Sequence, residues 1–214
     1  MRTFSEACQA IIAAANAANA AGLTPATGGN FSIRLPDGRI AISRSGADKG
    51  ALASTDILLV DAEGQPLRGN APALQPSAET RLHCQIYQLR PAARAIWHVH
   101  SVQATVLGRR CQAAGETAIT LAGYEMLKAF AAIDTHATTL RLPVIANDQD
   151  MERLRQAIAP VLANDDAAWA YLLAGHGAYV WGRDPAEASR HLQALEFLLA
   201  CHAAECQLDP KGAL

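Results

Sequence analysis

His98 and His100 stand two positions apart in the run Ala95-Ile96-Trp97-His98-Val99-His100-Ser101. On a strand, residues two apart leave the backbone on the same face, so the two imidazoles project together. Imidazole is the commonest protein ligand for divalent transition metals, and a rigid strand lowers the ordering cost of binding. The same spacing also suits two histidines hydrogen-bonded on a strand face, so the pair alone leaves both readings open. His176 shifts the balance toward a metal. It lies in Gly175-His176-Gly177, directly after the apolar run 169–174, and flanking glycines permit the close backbone approach that a site at a strand end needs. Three histidines with an open position suit a catalytic zinc better than a closed structural site. His83, His136, His191 and His202 lack such a context. Three of them, His83, His191 and His202, fall on expected helices and read as structural or surface residues.

A second group of residues suits an anion. Gly28-Gly29-Asn30 precedes an expected strand and Ser45-Gly46-Ala47-Asp48-Lys49-Gly50 follows one. Loops of small residues can present backbone N–H groups to an oxyanion, with asparagine and serine side chains as further donors. Lys49 adds a point charge. Ser77 begins an expected helix, whose N-terminus favours anions. Each feature is also an ordinary turn or cap. None matches G-x-x-x-x-G-K-[ST], so nucleotide binding is not indicated.

The elements that must position these residues are short. Thr3 and Glu6 form a capping-box pattern ahead of a helix over roughly the first two dozen residues, ended by Gly22 and Pro25. Residues 31–35 and 39–43 flank Pro36-Asp37-Gly38 and predict a hairpin. Further strands are expected at 57–60, 95–101, 117–121, 140–145, 170–173 and 178–181, with helices at 77–89, 124–131 and 150–162. Asp184, Pro185 and Glu187 open a long C-terminal helix. Strands mixed with helices, but without regular βαβ units, predict one α/β layered domain over residues 1–214 rather than a doubly wound parallel sheet.

Composition narrows the class. Half of the 214 residues are hydrophobic and the net charge is −2, which fits a globular chain and excludes nucleic-acid binding through net basicity. No apolar run is long enough to span a bilayer. Polar residues at Glu6, Gln9, Asn16 and Asn19 interrupt the alanine-rich N-terminus, which argues against a secretion signal. Five scattered cysteines without C-x-x-C spacing read as reduced thiols, and a cytoplasmic location is expected.

Taken in order, Gly29-Asn30, Ser45-Gly46, Pro76-Ser77-Ala78-Glu79, His98-Val99-His100-Ser101 and Gly175-His176-Gly177 resemble the class II aldolase/epimerase superfamily along nearly the whole chain. Ser45 to Gly50, Gly123-Tyr124-Glu125-Met126-Leu127-Lys128-Ala129, Asn147-Asp148-Gln149-Asp150 and Trp181-Gly182-Arg183-Asp184 look most like its sugar-phosphate dehydratases. The resemblance implies a three-layer α/β/α fold with a central, largely antiparallel sheet, and a homotetramer with active sites near subunit interfaces. It implies one Zn2+ per subunit on His98, His100 and His176, and a substrate phosphate near Asn30, Ser45, Gly46 and Ser77. Two positions depart from the family's pattern. The usual H-T-H is His98-Val99-His100, with Val99 expected to face away from the metal. A lysine often seen in the serine-glycine loop is Ala47, which leaves Lys49 as the nearby cation.

The implied reaction removes water from a phosphorylated sugar through an enediolate, with one residue moving the protons. Glu125 is expected in that acid/base role, its pKa raised by an apolar pocket. Glu79 is its rival, and is expected in support beside the zinc. An aldolase or 4-epimerase would share the site but break or remake a carbon–carbon bond. A non-catalytic adaptor predicts a degraded histidine set, whereas all three are present. A structural zinc site needs a fourth protein ligand, and no cysteine lies beside the histidines in sequence.

Overall fold

Thr3 starts the first helix in the manner its sequence predicts. Its hydroxyl accepts from the Glu6 N–H at 3.3 Å, and the Glu6 carboxylate accepts from the Thr3 N–H at 2.6 Å, so α1 (Phe4–Ala20) begins with a closed capping box. The computed structural model describes residues 3–67, 74–164 and 169–208. Strands β1 (Asn30–Arg34) and β2 (Ile40–Ser43) form the expected hairpin, and β3 (Ile57–Val60) pairs beside them. After them come α2 (Thr80–Leu89), β4 (Ala95–Val99), α3 (Val102–Ala113), β5 (Ala118–Ala122) and β6 (Thr139–Ile145). The remaining elements are α4 (Met151–Ala163), β7 (Ala170–Leu173), β8 (Gly177–Gly182) and α5 (Pro185–Leu208).

Among the described residues the strands form one eight-stranded sheet in the order β3-β2-β1-β4-β8-β7-β6-β5. Every neighbouring pair is antiparallel except β6 with β7. Alternation along the strands divides the core into two layers. Trp97 and Val99 of β4, and Ala178 and Val180 of β8, pack with Ile11 of α1, Leu107 of α3 and Leu195 of α5. Ile96 of β4 and Tyr179 and Trp181 of β8 pack on the other face with Ile86 of α2 and Ile158 of α4. The chain is therefore the expected three-layer α/β/α fold. Every residue of β4 and β8 is buried, because helices cover both faces at the sheet centre. Trp97 meets Phe31 of β1 at a ring-centroid distance of 5.4 Å, an aromatic contact worth roughly 0.5–1.5 kcal/mol beyond its buried area.

Three local expectations are corrected and one element is added. The strand expected at 95–101 ends at Val99, which leaves His100 and Ser101 beyond it. The helix expected from residue 77 begins at Thr80. Instead, Ser77 closes a turn, its hydroxyl accepting from the Glu79 N–H at 3.2 Å and its carbonyl from the Thr80 N–H at 3.0 Å. The helix expected at 124–131 is a 3-10 helix over Glu125–Ala129. Helix α3 was not expected at all. Its sequence carries Val102, Thr105, Val106 and Gly108, all weak helix formers, and it leaves Val102 and Val106 exposed. Its start rests on Ser101, whose hydroxyl accepts from the Ala104 N–H at 3.1 Å. No helix among the described residues is long and apolar enough to cross a membrane, and all five cysteines are free.

Two glycines are demanded by close approach to β4. Gly29 has φ +79°, and a Cβ there would stand 2.5 Å from the His98 carbonyl oxygen. A Cβ on Gly177 would stand 2.0 Å from the Val99 carbonyl oxygen. Gly177→Ala must therefore force β4 and β8 apart. It is expected to lower the unfolding free energy by about 3 kcal/mol, the upper end for overpacking, measured by urea denaturation. An unmoved midpoint would show that the strands separate without cost.

Candidate active site

The antiparallel pairing of β4 with β8 brings His176 to His98 and His100 across a long stretch of sequence. His98 lies opposite Tyr179 in the register, and the two rings stack at 4.1 Å. His98 points from β4 toward the layer containing α2, while Val99 turns into the other layer, as expected. His100 follows the strand end, its N–H bonded to the Leu23 carbonyl at 2.8 Å. His176 sits in the turn between β7 and β8.

The three rings converge through their Nε2 atoms. His100 Nε2 lies 2.9 Å from His98 Nε2 and 3.0 Å from His176 Nε2, and the ligand atoms of the group all lie within 4.8 Å of one another. A tetrahedral zinc with Zn–N bonds of about 2.0–2.1 Å separates its ligand nitrogens by about 3.3 Å, so the spacing fits one shared ion. The tautomer of His98 fits too. Its Nδ1–H donates to the Ala178 carbonyl at 3.0 Å, which leaves the Nε2 lone pair directed at the group. Burial, with His100 and His176 alongside, pushes the His98 pKa down to about 3 despite the opposing charge of Glu79. The His100 pKa is lowered as well, by burial and then by His176. Neutral imidazoles are what a metal ligand requires.

Glu79, immediately ahead of α2, borders this group. Its Oε1 lies 3.2 Å from His176 Nε2 and 3.6 Å from His98 Nε2, and its Oε2 accepts from Asn30 Nδ2 at 2.6 Å. Burial disfavours its charge, but hydrogen bonds from the His176 ring and from Asn30 favour it, and the carboxyl lies below its ordinary pKa. Glu79 is thus an ionised carboxylate beside the imidazoles.

The loops expected to hold phosphate meet nearby. The Ser45 N–H bonds to the Gln75 carbonyl at 3.1 Å and Arg44 bridges Pro76, which lays the exposed Ser45-Gly46 turn beside Ser77. Because the Ser77 oxygen accepts from Glu79 N–H, its own proton is left to donate. Asn30 joins them through Glu79. Lys49 is only 1% exposed, and its Nζ donates to the Thr27 carbonyl at 2.8 Å and the Ala47 carbonyl at 2.6 Å. It ties the glycine loop to the serine-glycine loop, and buried on these carbonyls it is not the exposed cation expected beside the phosphate. Burial lowers its pKa. Ala47 is buried.

Glu125 lies elsewhere on the chain. Its side chain is 70% exposed, pairs with Lys128, and has Oε2 at 3.4 Å from His136 Nδ1. The Lys128 hydrogen bond lowers its pKa, so the apolar pocket expected to raise it is not built by the surroundings that this chain provides. The Asn147–Asp150 run divides its roles. Asp150 caps α4 by accepting from the Glu152 N–H at 2.9 Å, while Asn147 Oδ1 stands 3.4 Å from His176 Nδ1.

One residue of the site escaped the sequence reading. His83 is fully buried, with Nε2 at 2.5 Å from Asn30 Oδ1 and Nδ1 at 2.7 Å from Ser32 Oγ. A signal was available: Glu79, His83 and Tyr87 recur every four residues, which aligns them on one helical face.

Three converging imidazoles, His98 buried and His100 and His176 half-buried, beside the Glu79 carboxylate on a largely antiparallel sheet between helical layers, define a class. The chain belongs to the class II aldolase and adducin N-terminal domain family, which matches residues 9–203. Within that family it is similar to enzymes named methylthioribulose-1-phosphate dehydratase. It is 46% identical to that of Sorangium cellulosum over 199 residues, covering 93% of this chain and 92% of the relative. It is 52% identical to that of Granulibacter bethesdensis over 196 residues, covering 89% and 88%. The fold also matches solved structures of L-fuculose 1-phosphate aldolase. One has TM-score 0.79 at 24% identity, over 100% of this chain and 92% of that one. The Thermus thermophilus structure has TM-score 0.74 at 25% identity, over 96% and 97%.

The geometry brings the three histidines close enough to share one metal ion. His100→Ala and His176→Ala are each expected to weaken Zn2+ binding by more than tenfold, equivalent to about 1.4 kcal/mol, with the fold retained. Equilibrium dialysis with elemental analysis measures this. Full metal occupancy at limiting zinc in either variant would remove that residue from the ligand set.

Proposed function

We propose that this chain is a zinc-dependent hydro-lyase that removes water from 5-methylthioribulose 1-phosphate, giving 5-methylthio-2,3-dioxopentyl phosphate in methionine salvage. The observation that carries this reading is the convergence of His98, His100 and His176 beside Glu79, in a chain 46–52% identical to dehydratases of that name. It works in the cytoplasm as a homotetramer, with one Zn2+ per subunit.

His98, His100 and His176 hold the ion, whose chemistry when bound is Lewis-acid polarisation of the C2 carbonyl. Asn30, the Ser45 hydroxyl, the Gly46 N–H and the Ser77 hydroxyl hold the C1 phosphate, and Lys49 keeps their two loops together. With the phosphate fixed at one end and the carbonyl at the other, C3 and C4 are oriented for proton transfer. One carboxylate takes the proton from C3, and the C4 hydroxyl leaves after receiving a proton, as water. The resulting enol tautomerises to the 2,3-diketone, which balances the loss of one water.

Glu125 is the acid/base of this proposal, with Glu79 in support. Glu79 keeps its charge beside the histidines, which suits electrostatic positioning better than donating a proton at neutral pH. The exposure of Glu125 suits a residue that serves the site of a neighbouring subunit. There, closure of the interface supplies the desolvation that its own chain does not.

The test is incubation of the zinc-loaded protein with methylthioribulose 1-phosphate, followed by mass spectrometry. Loss of one water, abolished by a chelator and restored by zinc, is expected. Cleavage into two smaller molecules would move the reaction to the aldolases. Glu125→Gln should keep its zinc and lose about 10²–10⁴-fold in turnover, the usual worth of general acid–base catalysis. Co-refolding this variant with inactive His98→Ala chains should restore part of the activity, because some mixed interfaces then carry an intact Glu125 and an intact metal site. No restoration would return Glu125 to its own subunit's site or remove it from the chemistry.

A further inference from the structure

The hydrogen bonds around His83 run in one direction only. Asn30 Nδ2 donates to Glu79 Oε2 at 2.6 Å, so Asn30 Oδ1 faces His83 Nε2 at 2.5 Å. An amide oxygen only accepts, hence His83 Nε2 must carry the proton. The ring is buried among helix and sheet and held neutral, so its Nδ1 is bare and accepts from the Ser32 hydroxyl at 2.7 Å. Ser32 Oγ, having given its proton to the ring, accepts from Tyr87 OH at 2.9 Å. The relay from Tyr87 through Ser32, His83 and Asn30 therefore ends on the Glu79 carboxylate; the Tyr87 hydroxyl also lies 3.5 Å from the Arg94 carbonyl, a longer contact than its 2.9 Å to Ser32.

The amide of Asn30 is the one link with a choice. Rotated by 180°, it would set Oδ1 against Glu79 Oε2, two acceptors at hydrogen-bond distance, and Nδ2 against the ring. The Nε2–H of His83 forbids that orientation, because it would oppose two donors.

We propose that His83 is a positioning residue. Its Nε2–H locks the Asn30 amide so that one N–H of Nδ2 holds Glu79 and the other is presented to the substrate phosphate. This rests on the reading of Asn30 and Glu79 as site residues, and extends it to a side chain that touches neither metal nor substrate. Burial of a polar network is costly unless every member is satisfied, and here full satisfaction requires one tautomer of one histidine.

The first test uses the unmodified, metal-free, full-length protein. In 15N-labelled protein, the long-range correlations of the His83 ring should show a protonated Nε2 and an unprotonated Nδ1. The Nδ1–H tautomer would overturn the proposal. Because no substrate or metal is present, this result stands apart from the dehydratase assay, whose failure would leave it intact.

The second test compares two variants at matched zinc content. His83→Phe keeps the ring volume but has no donor, and should lower kcat about 10–100-fold, the usual worth of a residue supporting a site from behind. His83→Gln returns an N–H near the Nε2 position and should recover most of that loss. A packing role predicts the opposite order, with Phe the better replacement. Wild-type kcat in a folded His83→Phe, or Gln no better than Phe, would overturn the proposal. If His83→Phe does not fold, the tautomer measurement still decides.

Discussion

The site depends on one pairing, that of β4 with β8. Its register sets His98 against Tyr179 and lets the His98 Nδ1–H donate to the Ala178 carbonyl. It also carries the β7–β8 turn, and with it His176, to the end of β4 where His100 emerges. Everything else in the site is arranged around that end. The close backbone contact at Gly177 shows how little room the pairing leaves. A central strand buried on both faces is a demanding place for a polar ring, since desolvation favours the neutral form. Here that demand coincides with what a metal ligand requires.

The second constraint is the match between β1 and α2. Asn30, Ser32 and Arg34 lie on one face of the strand, and Glu79, His83 and Tyr87 on one face of the helix. Two strand residues advance about 6.7 Å and four helical residues about 6 Å, so the rungs stay nearly aligned over three steps. Glu79 meets Asn30, His83 meets both Asn30 and Ser32, and Tyr87 meets Ser32, while Arg34 reaches the Tyr87 carbonyl at 2.9 Å and packs its guanidinium over that ring. A polar seam thus runs through an otherwise apolar layer of Leu82, Ile86, Ile158 and Trp181. It fixes the helix start against the sheet, and with it the carboxylate beside the imidazoles.

The loops complete the arrangement at lower density. Lys49 joins the glycine loop to the serine-glycine loop through two carbonyls, and the Ser45–Gln75 bond carries the second loop to Ser77. The loops proposed to hold the phosphate are therefore backbone and small side chains tied by a buried lysine, while the group that could hold a metal is three imidazoles on and beside the central strands. Glu125 belongs to neither. Its exposure and its pairing with Lys128 and His136 separate it from a centre whose other members are all at least half-buried or lie on the adjoining turn.

Much of this was legible in the sequence because it is local. The two-residue spacing singled out His98 and His100 as a pair, although His100 lies just past the end of β4; the glycines around His176 marked a strand end, and turn residues placed the hairpin. The ordered motifs identified the family and hence the layer architecture. Helix α3 was not legible, since Val102, Thr105, Val106 and Gly108 have weak helix propensity and the packing of Leu107 and Cys111 on the sheet overrides it. Nor was the surrounding of Glu125, which depends on what folds beside it. Above all, His83 read as an ordinary helical histidine, because its role lies in the distance to Asn30 and Ser32, some fifty residues away in the chain. Residue type and spacing determined which groups can bind a metal, whereas only the tertiary packing decided the tautomer, charge and orientation in which they meet. Those properties come from burial and from partners remote in sequence.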